Sequence, residues 1–328
     1  MDDAVTSSME AYKKLETEYA KYIGTDTAVA CNTGTAALHL ALAALGLKRG
    51  DEVIVPEFTM IASAWAVSYT GAKPVFVDCG DDLLIDVDKI EKKITSRTKA
   101  IMPVHIYGRV CNMDKIMEIA KQYHLRVIED CCEAQGAMWG DKRVGSFDIG
   151  CFSFFLNKII PAEEGGIVTT NDIKLAEKMR DMRSMSFGLE HNYLHDSIGF
   201  NYRMTNSQAD FALANLAAVN TIQQMRYRVE AWYDKYMKDE YKMPKRTVVW
   251  VYDIKHPKKD AVVKLVNNAG FKARHGFKPM SMQPMYLNKR YKRLNAYKKS
   301  LEVCYLPVSP LMTEEMVKKI CELVDSVK

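Results

Sequence analysis

The strongest constraint on this chain is an alternation that fills its first two-thirds. Short β-type runs recur: AVAC (28–31), VIVP (53–56), PVFV (74–77), AIMPV (100–104), RVIED (126–130), CFSFF (151–155) and GIVTT (166–170). Helical patterns separate several of them. TAALHLALAALGL follows the first run, TMIASAWAVSYTG the second and MDKIMEIAKQYH the fourth. Strands alternating with helices predict an α/β fold, a three-layer arrangement whose mostly parallel seven-stranded sheet is covered by helices on both faces. The runs are apolar nearly throughout, as strands buried on both sides should be. In open sheets of this kind ligands sit outside the carboxyl ends of the strands, so chemistry is sought there.

Beyond Asp172 the pattern changes. IKLAEKMRDMRSM reads as a helix, and SFGLEHNYLHDSIGFNYRMTN as a polar and aromatic loop. SQADFALANLAAVNTIQQMRYRVEAWYDKYMKD reads as one long helical stretch bridging to a smaller C-terminal α+β domain. That domain is expected to contain a strand at TVVWVYDI (247–254), a helix at DAVVKLVNNAG (260–270) and a terminal helix at TEEMVKKICELVDSV. The predicted division is a large domain over 1–215 and a small one over 216–328. A chain of 328 residues with 48% hydrophobic content can bury cores for both.

The charge balance, 46 basic against 41 acidic residues, leaves +5, a mild excess compatible with an anionic small substrate. No long basic stretch with interleaved aromatics occurs, which argues against nucleic acid as a partner. No run approaches the length of a membrane span, and the polar start MDDAVTSSMEAYKKLE does not read as a signal peptide. The eight cysteines show no CxxC spacing and mostly sit in apolar runs, which suits a reducing cytoplasm.

Three strand ends carry polar groups. The first, CNTGTAAL, places Gly34 where the backbone can turn closely and Thr35 where it can cap the next helix, whose N-terminus is a ready phosphate site. The fifth, VIEDCCEAQGA, ends an apolar strand in Glu129 and Asp130. The sixth, FSFFLNK, sets Ser153 five residues before Lys158, ahead of the glycines of EEGGIVTTND. Each has a plain alternative taken alone: a helix cap, a carboxylate capping a turn, a solvated loop lysine. Together they match what pyridoxal 5'-phosphate requires. Thr35 and Ser153 can hold a phosphate, Asp130 can pair with a protonated ring nitrogen, and Lys158 can bond the aldehyde and move protons.

In order along the chain, NTGTAALHLALAALGLKRGDEVIVP, GAKPVFVD, MPVHIYG, VIEDCCEAQGA, FSFFLNK, EEGGIVTTND and GFNYRMTNSQA resemble the sugar-nucleotide aminotransferases of the DegT/DnrJ/EryC1/StrS group, from about Lys14 to about Tyr286. These belong to fold type I of the pyridoxal phosphate enzymes. The resemblance implies that Lys158 bonds the cofactor, that Asp130 partners its ring nitrogen, and that Gly34, Thr35, Ala36 and Ser153 surround its phosphate. It implies that Asn201 reaches the phosphate of a neighbouring subunit, so that a homodimer shares its active sites. Met60 stands where an aromatic commonly stacks on the ring. Glu133 stands where many members carry glutamine against the ring hydroxyl; glutamate there resembles the branch acting on GDP-4-keto-6-deoxymannose. His105, Arg274 and Ser281 fall near the substrate end, Ser281 in place of a common histidine, and Glu163 replaces a common glycine. The chain begins late relative to the family pattern.

The implied activity is transfer of an amino group from glutamate to a keto group of a nucleotide-linked (GDP-, UDP- or dTDP-) 4-keto-6-deoxysugar, of the kind used in surface polysaccharide. A sub-branch that dehydrates instead carries histidine in place of the lysine. The alternatives are a catalytically degenerate cofactor-binding homologue or regulator, and a sugar dehydratase. Plain readings stand beside several residues. His39 lies on an apolar helix and reads as a core histidine, and His105 as a strand-end group bonding backbone. Arg274 reads equally as a surface ion-pair former. His191 and His195 are four apart without a third ligand pattern, so no metal is expected.

Overall fold

The computed structural model describes residues 2–187 and 193–328; His191 lies outside them. Elements follow in the order α1 (Asp2–Ile23), β1 (Thr27–Cys31), α2 (Gly34–Ala44), β2 (Glu52–Pro56), α3 (Ile61–Tyr69), β3 (Lys73–Val77), β4 (Thr98–Ile101), α4 (Met113–Gln122) and β5 (Arg126–Asp130). A two-stranded ribbon, β6 (Met138–Trp139) and β7 (Lys142–Arg143), precedes β8 (Ile149–Ser153), β9 (Gly166–Thr170) and α5 (Ile173–Arg183). The remainder comprises α6 (Asn206–Ala217), α7 (Val219–Tyr236), β10 (Tyr252–Lys255), α8 (Lys259–Asn268), β11 (Arg274–His275), α9 (Asn295–Glu302), β12 (Val303–Leu306) and α10 (Glu314–Ser326).

Seven strands form one sheet in the order β1-β9-β8-β5-β4-β2-β3. Strand β9 runs antiparallel to both its neighbours, and the β8-β5-β4-β2-β3 pairings are parallel. The two faces separate residue by residue along β1. Ala28 and Ala30 pack toward Leu15, Tyr19 and Phe152, whereas Val29 and Cys31 pack toward Leu40, Val55 and Met179. Period-two side-chain alternation with both sets buried is what makes the run continuously apolar. Helix α1 meets the first face through Leu15, Tyr19 and Ile23, one helical stripe. All eight cysteines are free thiols. Among the described residues, no helix is long and apolar enough to cross a membrane.

A second, three-stranded antiparallel sheet, β10-β12-β11, lies in the C-terminal part. Its core joins Val229 and Tyr233 of α7, Val262 and Val266 of α8, and Val317, Ile320 and Val324 of α10. Position 215 lies within α6, and the next helix, α7, carries the residues that enter this second core.

The sixth expected strand, 151–155, lies two residues earlier at Ile149–Ser153, and three further elements differ more. The fourth strand stops at Ile101, before Pro103, which has no N–H to continue the ladder. The long helical stretch is two helices, because Ala218 leaves helical geometry with φ −94° and ψ 3°. The strand expected over 247–254 is confined to Tyr252–Lys255, since the amides of Thr247 and Val248 both donate to the Gly108 carbonyl, at 2.9 and 3.2 Å.

Candidate active site

Helix α2 begins directly after β1. Thr33 is its N-cap: the Thr33 hydroxyl accepts from the Ala36 amide at 3.0 Å. The capping role expected of Thr35 therefore belongs to Thr33, because the helix starts at Gly34, two positions earlier than that reading requires. The amides of Gly34 and Thr35 precede the helix's first internal bond, which runs from the Ala37 amide to the Thr33 carbonyl. They point outward at the positive end of the helix dipole, the arrangement that binds an anion. Gly34 is close against Ser153: a Cβ there would lie 2.6 Å from the Ser153 Cβ and 3.2 Å from the Cys132 Sγ.

Gly34, Thr35, Met60, Asp130, Glu133, Ser153, Lys158 and Arg274, all singled out from sequence, line one cavity of about 410 Å³. It opens beyond the carboxyl ends of β5 and β8, where the topology placed it. Asp130 is 5% exposed. One carboxylate oxygen accepts the Ser63 hydroxyl at 2.8 Å, the other the Cys132 amide at 3.2 Å. Thr59 in turn contacts Ser63 at 2.9 Å. A buried carboxylate held this way retains lone pairs for a cationic partner in the cavity.

Glu133 is 5% exposed and accepts the Tyr107 amide at 2.9 Å. Burial pushes its carboxyl up to about 7, with the Lys158 ammonium and the Tyr107 amide pulling the other way. The Lys158 Nζ lies 4.0 Å from the centroid of the Trp250 ring, a cation–π contact. The loop that carries it is tied by Gln135, whose amide nitrogen donates to the Ser153 carbonyl at 3.1 Å and whose amide oxygen accepts from Ile160 at 2.8 Å. Burial and the charge of Glu133 raise the Tyr305 hydroxyl to about 12, with Arg274 opposing, so Tyr305 faces the cavity as a neutral donor.

Four expected residues lie elsewhere. Ala36 is buried behind the cavity lining, its amide already taken by Thr33. His105 is fully buried: its Nδ1 accepts from the Cys111 amide at 3.2 Å, so its Nε2 carries the proton and faces Glu129 at 3.2 Å. Glu129 also accepts the Gly145 and Phe147 amides. This pair braces the sheet end, and the expected substrate role of His105 has no cavity wall to act from. Ser281 is locked onto Glu57, to which its amide and hydroxyl both donate, and it borders a separate groove along the edge strand β3. Asn201 is exposed and bridges to Ser184. The core reading of His39 fits a ring that is 6% exposed and bonded to the Tyr202 hydroxyl at 3.0 Å. His195 faces the Met185 and Ser186 carbonyls, so its Nδ1 acts as a donor there.

Sequence reasoning missed Thr33, Glu164, Trp250, Phe277 and Tyr305 on the cavity wall. Thr33 was legible as a threonine three residues before the amide it caps. The last three come from the C-terminal part and had no local signal. Glu163 adopts φ +64°, the left-handed region, which is the physical reason a glycine is common at that position. An anion cradle, a buried carboxylate and an amine on one cavity wall fit pyridoxal 5'-phosphate as a group; Gly34 leaves the space at the cradle that any side chain would fill.

The comparisons agree with this geometry. The sequence pattern of the DegT/DnrJ/EryC1/StrS aminotransferase family matches residues 2–325. A GDP-perosamine synthase of Caulobacter vibrioides is 41% identical over 100% of this chain and 93% of its own length. Another, of Escherichia coli O157:H7, is 39% identical over 99% of this chain and 92% of its own. The crystal structure of S. venezuelae DesV in complex with a ketimine intermediate superposes with a TM-score of 0.90 at 31% identity, covering 96% of this chain and 88% of that one. With fold, cavity and full-length similarity in accord, the chain belongs to the DegT/DnrJ/EryC1/StrS family of pyridoxal phosphate-dependent aminotransferases.

Proposed function

We propose that this enzyme moves an amino group from glutamate to the keto carbon of a nucleotide-linked 4-keto-6-deoxysugar, GDP-linked in the first instance, in the cytoplasm. The single observation that carries the reading is the convergence of Lys158, Asp130 and the Gly34–Thr35 helix start on one cavity. Similarity along nearly the whole length of two GDP-perosamine synthases supports the sugar class.

When bound, pyridoxal phosphate supplies an aldehyde for amine exchange and an electron-withdrawing ring that stabilises charge at the reacting carbon. The chain's own residues do the rest. The Gly34 and Thr35 amides, with the Thr35 and Ser153 hydroxyls, would hold the phosphate. Asp130, held in place by the Ser63 hydroxyl and the Cys132 amide, would pair with the protonated ring nitrogen. Lys158 would carry the cofactor at rest and, once freed, take a proton from the donor carbon and deliver it to the cofactor carbon across the transferred nitrogen. Glu133 would face the ring hydroxyl, and Met60, half-exposed at the mouth, would pack on the ring. Arg274 would face the substrate. Exposed Asn201 would serve the partner's phosphate in a homodimer.

The presence of Lys158 favours amination over dehydration. A regulator that binds cofactor without turnover is the second reading, favoured by Met60 at the stacking position and by Ser281 bonded away to Glu57. The absorbance spectrum of the cofactor-loaded protein separates them. A visible band that is lost on adding glutamate, and that is absent in Lys158→Ala, supports transamination. A visible band indifferent to glutamate supports the regulator. No visible band after loading defeats the assignment of Lys158.

A further inference from the structure

Arg226 on α7 is a cation in the interior. It is 6% exposed, and among the described residues no carboxylate pairs with it. Its partners are three main-chain carbonyls from three distant segments. One terminal nitrogen donates to Trp250 at 2.9 Å and to Val308 at 3.2 Å; the other donates to Lys158 at 3.3 Å. Its Nε is buried with no partner. Burial alone lowers its basicity, to about 10. An interior charge without a counter-ion is costly, and carbonyl dipoles from ordered segments are what offset it here.

Two of those segments, at Trp250 and at Lys158, meet at the reactive lysine. Residues 155–157 are exposed, outside any helix or strand, and Gln135 ties the loop at Ser153 and Ile160, on either side of the lysine rather than at it. Lys158 is instead gripped at three points from the C-terminal half. Arg226 takes its carbonyl, the Trp250 indole N–H takes the Asn157 carbonyl at 2.9 Å, and the Trp250 ring face receives the Nζ at 4.0 Å. Arg226 also bonds the main chain of that same Trp250, so one guanidinium sets both the lysine and the surface on which its amine rests.

We infer that Arg226 is a positioning residue for Lys158, acting directly on its peptide and through Trp250 on its amine. The inference rests on Lys158 being the cofactor lysine. It predicts a defect specific to the lysine's bond rather than to the cofactor pocket at large. An aldehyde condenses with an amine with loss of one water; the amine form of the cofactor has no aldehyde and cannot. Both forms present the same phosphate and ring to Gly34, Ser153 and Asp130.

The test measures dissociation constants of cofactor-free protein for pyridoxal 5'-phosphate and for pyridoxamine 5'-phosphate by quenching of intrinsic fluorescence. Wild type is expected to bind the aldehyde form more tightly. Arg226→Met should weaken the aldehyde form at least about tenfold, the scale of one lost charged hydrogen bond, and the amine form by less than about threefold. Arg226→Lys, with one point charge in place of the fork, should show the same selective loss. Equal weakening of both forms, or of neither, overturns the inference. Should the arginine variants not fold, Trp250→Phe decides: it keeps a ring face, loses the grip on Asn157, and should show the selective loss in smaller measure, whereas unchanged binding of both forms overturns the inference. A wild type that binds both forms equally defeats the reading of Lys158 itself, and this inference with it.

Discussion

Replacing Glu133 by glutamine tests the electrostatics of the cavity. Burial lifts this carboxyl from the ordinary 4.5 to about 7. In the unfolded chain it titrates near the ordinary value, so between those two pH values the folded chain binds more protons than the unfolded one. Stability then falls as pH rises through the window. The cost is absent below about pH 4.5 and complete above about pH 7. At about 1.4 kcal/mol per pH unit of displacement, the full effect is about 3 kcal/mol. Glutamine keeps an oxygen for the Tyr107 amide and does not ionise. Urea unfolding of cofactor-free wild type and Glu133→Gln, at about pH 5 and about pH 8, isolates the term, because every other titrating group is common to both proteins. The variant should gain about 2–3 kcal/mol on wild type between the two conditions. Parallel pH dependences would refute the argument, and with it the view that Glu133 is desolvated beside Lys158.

Ser63→Ala removes the hydroxyl that donates to Asp130 at 2.8 Å; affinity for pyridoxal phosphate, followed by absorbance titration, should fall about tenfold, as for one lost hydrogen bond to a charged group. Gly34→Ala brings a methyl to 2.6 Å from the Ser153 Cβ, so the cradle must open; affinity for the cofactor should fall further than in Ser63→Ala, by the same titration. Glu163→Gly relieves a left-handed residue on an exposed loop and should stabilise the protein by up to about 1 kcal/mol, read as a raised melting temperature.

Much of the cavity wall built on the seven-stranded sheet was legible because its residues stand at strand ends, where local pattern and topology coincide. Asp130 and Ser153 close β5 and β8, and Gly34 opens α2, each within a residue of an element boundary. Where legibility failed, the reason was contact between distant segments. His105 looked like a site residue because strand-end polar groups face ligands in this architecture. Glu129, the penultimate residue of β5, turns it inward instead. Ser281 looked like a substrate residue until Glu57, 224 positions earlier, claimed it. The expected strand over 247–254 was lost in its first half to a single carbonyl, that of Gly108, which no periodicity could reveal.

The sequence by itself determined the sheet and its covering helices, since burial on both faces writes a continuous apolar run into each strand. It also determined the lysine, the carboxylate and the helix start, since each follows its own strand by a fixed, short stretch of backbone. Only the tertiary structure decided what surrounds the lysine. Trp250 lies 93 positions from the Asn157 carbonyl it holds, and Arg226 lies 68 from that of Lys158. Contacts at that separation depend on how two cores pack against each other, a property of the folded whole that local backbone preference does not encode.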